Sequence, residues 1–234
     1  MNCETLMKKD RALYVDLEDA LAGGRARLVA DEEAAVLARY NDFPLYILGA
    51  ADAADGKRLL DGVSEPEFGV VLRGEALAEY AREKGMKVSD PCWQVFYNGP
   101  RLDASGPLDI RHPSPEDFAA VAETYTLVPV EELREDFAGE NFYCGYLDGA
   151  LAAYAGVHSE GSLGMLHVFE KYRGRGLSKQ MSRFMINSRL DKGRLPYAHV
   201  FCDNTVSLEL QRRTGMVFSN QIITWARSAP REKR

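Results

Sequence analysis

The sequence predicts an α/β (α+β) fold built in two parts, on three observations. Helix-like and strand-like stretches alternate along the chain. A stretch rich in Pro and Gly, residues 98–107 (NGPRLDASGP), interrupts that alternation near the middle. Beyond it a short apolar strand, Met165 to Val168, runs into the basic turn Arg173-Gly174-Arg175-Gly176 and then into an amphipathic helix.

The elements follow from local pattern. Residues 1–24 read as helical, with Leu13, Leu17 and Leu21 every four positions and Gly23-Gly24 as the stop. Ala26 to Val29 reads as a short strand. Asp31 to Tyr40 reads as a helix with Asp31 as its cap and Ala34, Ala35, Leu37 and Ala38 as a small buried face. Leu45 to Leu48 and Phe68 to Leu72 are apolar strands. Asp52 to Leu60 and Glu75 to Lys84 are helices, the second ending at Gly85, and Trp93 to Tyr97 is β-like.

After the Pro/Gly stretch come a strand at Leu108 to Arg111 and helices from Ser114 to Tyr125 and from Val130 to Asp136. Strands at Asn141 to Leu147 and Leu151 to His158 are joined by Asp148-Gly149, a pair suited to a two-residue hairpin. A strand at 163–168, the glycine turn and its helix follow. Pro196 to Cys202 is a strand, Asn204 to Arg213 a helix stopped by Gly215, and Val217 to Trp225 a final strand. The domains so defined are 1–105, 106–227 and a solvated tail, 228–234.

Composition excludes several function classes. The 234 residues are 46% hydrophobic, with net charge −6 and a pI of about 5.4, as in an ordinary soluble protein. That balance argues against a nucleic-acid partner. The four cysteines lack Cys-x-x-Cys spacing, so no metal site is expected and the thiols are read as reduced, packed groups. The start MNCETLMKKDRA has no apolar core and no run of about 18 apolar residues occurs, which predicts no membrane association and a cytoplasmic protein.

Against this acidic background the basic turn stands out. Glycines let the backbone approach a ligand, and the first amides of the helix from Leu177 lack internal partners. The helix dipole favours an anion there, and Arg173, Arg175 and Lys179 add positive charge. The helix buries Leu177, Met181, Phe184 and Met185 on one face. The pattern predicts a pyrophosphate site.

Arg173, Gly176 and Ser178, after a strand and opening a helix, resemble the Arg/Gln-x-x-Gly-x-Gly/Ala signature of the GNAT acyltransferase superfamily. Ser178 departs from it in carrying a hydroxyl where the family has Gly or Ala. The order of elements over 108–225 follows the family's order. Phe201-Cys202-Asp203-Asn204, Ser207, Leu210 and Gly215-Met216-Val217 resemble its strand–Asn–helix–Gly segment. Segments PYAHVFCDN and SLELQRRTGM resemble the glycine N-acyltransferase-like group, whose N-terminal half resembles a degenerate GNAT copy; residues 1–100 fit such a half in size and alternation.

The resemblance implies a GNAT-like mixed, largely antiparallel central sheet flanked by helices. It implies an N-acyltransferase, most often an N-acetyltransferase, that moves an acyl group from acetyl-CoA or another acyl-CoA to the primary amine of a small molecule or amino acid. The chain would act as a monomer or homodimer. CoA pyrophosphate would rest on Arg173, Gly174, Arg175, Gly176, Leu177 and Ser178. Val168 and Phe169 would hold the pantetheine amides, with the amide near Val168 polarising the thioester carbonyl. Asn204 and Ser207 would reach CoA, although Asn204 also reads as a helix cap.

For proton transfer the candidates are His167, Glu160, Ser162 and Gln211. Gln211 stands where the family commonly has Tyr, and Gln cannot act as an acid. His167 also reads as a neutral core histidine and Glu160 as an exposed turn carboxylate. His158, His199, Cys202, Tyr143 and Tyr154 read more readily as packing. A non-catalytic acyl-CoA sensor is the alternative function.

Overall fold

The computed structural model describes residues 3–228; residues 229–234 of the expected tail lie outside them. In chain order the helices and strands are α1 (Cys3–Lys9), α2 (Arg11–Ala22), β1 (Ala26–Asp31), β2 (Ala35–Tyr40), β3 (Leu45–Ala50), α3 (Ala53–Asp61), β4 (Gly69–Arg73), α4 (Glu75–Glu83), β5 (Lys87–Val88) and β6 (Cys92–Phe96). Then follow β7 (Asp109–Arg111), α5 (Phe118–Thr124), α6 (Val130–Ala138), β8 (Tyr143–Leu147), β9 (Ala150–Val157), β10 (Leu163–Val168), α7 (Leu177–Asp191), β11 (Tyr197–Phe201), α8 (Thr205–Thr214) and β12 (Val217–Arg227).

These elements form two compact units, each drawn from separate stretches of chain. The first contains the chain up to Phe96, His199–Leu208 and the chain from Val217 on; the second contains Tyr97–Ala198 and Glu209–Met216. The change of unit after Phe96 lies just ahead of the Pro/Gly stretch. The return of β12 to the first unit has no counterpart in a division at 105/106.

In the first unit the strand order is β1-β2-β3-β4-β12-β6. β1 to β3 are antiparallel, β3 and β4 are parallel over Leu45↔Gly69 to Ile47↔Val71, and β12 runs antiparallel to β4 and β6. In the second unit β7, β8, β9 and β10 form an antiparallel series, and β10 meets β11 in parallel at Leu163↔Ala198. The pairing is mixed and mostly antiparallel, as the resemblance implies.

One element differs in kind from the expectation. Residues 31–40 are not a helix, and Asp31 caps nothing: Asp31 pairs with Val36 across the β1–β2 hairpin. The cause is burial on both faces of β2. Val36, Ala38 and Tyr40 enter one apolar cluster and Ala35 and Leu37 another, a period of two that the alanines disguise as a helical face. Near the N-terminus the single expected helix is two, because the Asp10 side chain accepts from Leu13 N at 3.1 Å and starts α2 afresh. Ser228, assigned to the tail, is tied in: its hydroxyl accepts from Phe68 N at 2.8 Å.

Other signals read true. Asp148 and Gly149 have φ of 51° and 81°, the left-handed pair of a two-residue hairpin, and Leu147 pairs with Ala150 beside them. α7 buries Leu177, Met181, Met185 and Ile186, each contributing about 1.5–3 kcal/mol by leaving water. Phe184 packs edge-on against Tyr143 with ring centres 4.9 Å apart. This anchoring fixes where the N-terminus of α7 points.

Candidate active site

The turn before α7 is shaped by its glycines. Gly174 and Gly176 have φ of 77° and 78°, and a Cβ on either would meet no heavy atom within 4 Å. The amides of Lys179 and Gln180 bond back to Gly176 O at 3.1 and 3.3 Å. Among the described residues the amides from Gly174 to Ser178 find no acceptor. They form an open row of donors at a helix N-terminus. Arg173 turns back, its Nε donating to Val168 O at 3.1 Å. Arg175 lies over the Tyr172 ring, 5.8 Å from its centre, and has no ion-pair partner among the described residues.

Strand β10 leads into this turn and carries a bulge. Gly164 pairs with Gly156 but His167 with Tyr154, so Met165 and Leu166 together face the single residue Ala155. Met165 takes the bulge strain with φ of 55°, rare for a side chain of its size. Faces also change there: Met165 lies in the cluster under α5 and α6, whereas Leu166 and Val168 pack toward α7. With only Leu163 in ladder register with β11, the edge of β10 from Gly164 to Val168 has no partner strand on that side among the described residues. Phe169 N donates to Ala152 O at 3.0 Å. That bond makes Val168–Ala153 a non-hydrogen-bonded pair, so Val168 N–H points away from β9. Phe169 N–H, by contrast, is already used.

His167 lies on the α5/α6 face. Its ring stacks on Tyr154 at 5.2 Å and meets Phe169 edge-on at 5.1 Å. Burial, and secondarily the charge of Arg173, lower its pKa, so the imidazole is neutral at pH 7. No hydrogen bond engages either nitrogen among the described residues.

A second group of polar side chains gathers at the other end of β10. Glu160 is buried, with 8% exposure, where the sequence suggests an exposed turn; its Oε1 accepts a short hydrogen bond from the buried Ser162 hydroxyl. The turn is held by Gly161 N to His158 O at 2.7 Å, His158 N to Ser162 O at 2.9 Å and Tyr197 Oη to Glu160 O at 2.8 Å. His158 rests on Gly164, where a Cβ would sit 2.2 Å from Nε2. Asp136 faces this group from α6. Burial pushes its pKa up to about 6; the charge of His158 opposes the rise, while Glu132, Glu160 and Glu135 add to it. The Tyr125 hydroxyl is raised by burial and by the charge of Asp136.

Asp136 and Tyr125 escaped the sequence reading. The signal was present: Leu133, Asp136 and Phe137 share one helix face, and Leu133 and Phe137 are buried. An acid inside such a stripe marks an ionisable group held out of water.

The remaining candidates divide between the units. Gln211, in the second, is 9% exposed, and its side-chain amide has no partner among the described residues. Asn204 and Ser207 belong to the first, where Asn204 Oδ1 accepts from Ser207 N at 3.0 Å and caps α8. His199 bonds Gln94 Oε1 at 2.7 Å, and Tyr154 is fully buried. Cys92, Cys144 and Cys202 are free thiols. Among the described residues no group of His, Cys, Asp and Glu is arranged to hold a metal ion, and no helix is long and apolar enough to cross a membrane.

The bulged strand, glycine turn and helix lie inside residues 143–221, which match a family model described as FR47-like protein. A putative acetyltransferase of the GNAT family from Novosphingobium aromaticivorans aligns over 92% of this chain and 95% of its own, with 22% identity and a TM-score of 0.53. The chain has the GNAT fold. A GCN5-related N-acetyltransferase from Kribbella flavida shares the GNAT architecture over 93% of this chain and 94% of its own, at 14% identity and a TM-score of 0.58. A Drosophila structural-genomics protein aligns over 95% of this chain and 89% of its own, at 16% identity and a TM-score of 0.61. A comparison with curated proteins finds no match.

Proposed function

We propose that the chain is an acyl-CoA-dependent N-acyltransferase, most simply an acetyltransferase, acting in the cytoplasm on a cationic small-molecule or amino-acid amine. The observation that carries this reading is the row of unpaired amides from Gly174 to Ser178 at the N-terminus of α7, flanked by Arg173, Arg175 and Lys179. Such a row suits a pyrophosphate. From there a pantetheine arm would run back along the open edge of β10, with Val168 N–H and the bulge at Met165–Leu166 beside it. A backbone donor on that edge would polarise the thioester carbonyl and hold the negative charge that develops on its oxygen.

The chemistry is direct. The neutral amine attacks the thioester carbon, the C–S bond breaks, an amide forms, and the CoA thiolate takes up a proton. Glu160, steered by Ser162, supports proton removal from the amine, directly or through one water. Asp136 and Glu132 favour a cationic acceptor, and a carboxyl that titrates near pH 6 suits proton traffic at neutral pH. His167 lines the same face as a neutral group. Gln211 supplies a free amide donor but no acid, so the thiolate leaves with hydrogen-bond help alone.

Thermal stability with acetyl-CoA and longer acyl-CoAs tests binding, and CoA thiol release across an amine panel tests turnover. Saturation at 100 times Kd adds about 2.7 kcal/mol. A shift with turnover supports the enzyme, a shift without turnover on any amine supports a sensor, and no shift with any acyl-CoA overturns the reading.

A further inference from the structure

Residues 98–107 have the Pro- and Gly-rich composition of a linker, and the structure straps the stretch onto α7. Two side-chain amides seven residues apart on the helix hold it. Asn187 exchanges both hydrogen bonds with the Leu102 backbone, at 2.9 and 2.8 Å, and Gln180 does the same with Leu108, at 3.0 and 3.1 Å. Between them Arg183 Nη1 donates to Asp103 O at 2.9 Å. Gly106 allows the approach: a Cβ there would sit 2.3 Å from Gln180 Oε1.

The strap and the helix line an open pocket beside the glycine turn, with Ser105, Gly106, Arg175, Gly176, Lys179 and Arg183 among its walls. Lys179 and Arg183 lie four residues apart on one face of α7, and Arg175 stands in the turn just before it. Arg175 and Lys179 have no ion-pair partner among the described residues, and Arg183 Nε is buried without an acceptor. One acid stands nearby. Asp103 is bound by Ser105 and held below the usual carboxylate range by those bonds and by the charges of Arg183 and Lys179. Three cations against one carboxylate leave the pocket about two charges positive, with a buried N–H lacking an acceptor.

We infer that this pocket binds the 3′-phosphate of CoA, using Lys179 and Arg183 from α7, Arg175 from the turn before it and Ser105 from the strap. The inference rests on the acyl-CoA reading above and deepens it. A dianionic phosphate monoester matches the surplus charge and satisfies the orphan donor. The pocket shares Arg175 and Gly176 with the pyrophosphate cradle, so one ligand carrying both phosphates spans the two. The strap thereby becomes part of the binding site, and the chain discriminates CoA from dephospho-CoA, which has the same pyrophosphate and pantetheine.

Calorimetric Kd values for CoA, dephospho-CoA and adenosine 3′,5′-bisphosphate test this on the full chain, on Lys179→Gln and on Arg183→Gln. CoA should bind at least about tenfold tighter than dephospho-CoA, the scale of one hydrogen bond to a charged group. Lys179→Gln, at an exposed position, should bring that ratio toward one by weakening CoA more than dephospho-CoA, and should weaken the bisphosphate. Arg183→Gln, outside the pyrophosphate cradle, should weaken CoA and the bisphosphate and leave dephospho-CoA unchanged. Equal affinities in the natural chain, or a ratio unmoved in both variants, would overturn the pocket assignment while leaving the acyl-CoA reading in place. Binding of neither CoA nor dephospho-CoA would overturn both.

Discussion

Residues 3–96 and residues 118–227 run through one order of elements: two helices, three antiparallel strands, a helix, a strand parallel to the third, a helix and a further strand. They differ at the point where the third strand passes into its helix. In the second unit that turn is Arg173-Gly174-Arg175-Gly176, with free amides and positive charge. In the first it is Ala51-Asp52-Ala53, and Asp52 Oδ1 already accepts from Asp55 N at 3.0 Å. A carboxylate thus occupies the helix N-terminus of α3 and repels a second anion.

The strands differ too. β3 and β4 part after Ile47↔Val71, and there Arg73 Nη1 takes Leu48 O at 2.8 Å while Nε takes Leu13 O at 2.9 Å. Its charge is met by Asp16 at 2.5 Å, with 3% and 2% side-chain exposure for the pair, and its guanidinium lies 4.9 Å from the Tyr14 ring centre. Tyr14 in turn packs on Gly49, where a Cβ would be 2.8 Å away. The gap that in the second unit is an unpaired strand edge is, in the first, closed by a buried ion pair. The same order of elements does not mean the same site: one stretch keeps its strand edge open, and the other fills it.

The largest expected effect breaks the closed stretch. Arg73→Leu leaves Asp16 buried and unpaired and should cost about 3–5 kcal/mol in denaturant unfolding, whereas Arg73→Leu with Asp16→Leu should recover most of that. A neutral Arg73→Leu would mean the plug carries no stability. Next, Gly176→Glu puts an acid into the open cradle, as Asp52 does in the first unit. It should weaken acyl-CoA binding by about a hundredfold or more with the fold retained.

Glu160→Gln should lower kcat by about a hundredfold with the Kd for acyl-CoA unchanged. An unaltered rate would move the base elsewhere, first to His167. The smallest effect belongs to Asp136. Its folded pKa lies above the unfolded value, so the folded state holds the proton more tightly, and stability is full below about pH 4 and falls as pH rises toward 6. Asp136→Asn should abolish that slope and stabilise the protein at pH 8 by about 1 kcal/mol after solvent screening is allowed for. Equal melting of both proteins at pH 8 would contradict it.

Much of this contrast was legible in the sequence. The glycine turn and α7 announced themselves because two constraints coincide there, an apolar helical face and glycines next to cations. Asp148-Gly149 was legible because only a few residues suit a two-residue hairpin. β2 was not, because burial on both faces erases the alternation that marks a strand. Glu160 looked exposed because its turn is short and polar, and only folding brings Ser162 and Tyr197 around it. The strap escaped notice because Gln180 and Asn187 look like ordinary surface residues until their backbone partners are known.

The most direct test of the central claim, one open and one closed stretch, is the stoichiometry of CoA binding by titration calorimetry. The account predicts one CoA per chain in the natural protein and none in Gly176→Glu at concentrations that saturate the former. Two per chain, or one still bound at full affinity in Gly176→Glu, would place a ligand in the first unit and contradict it.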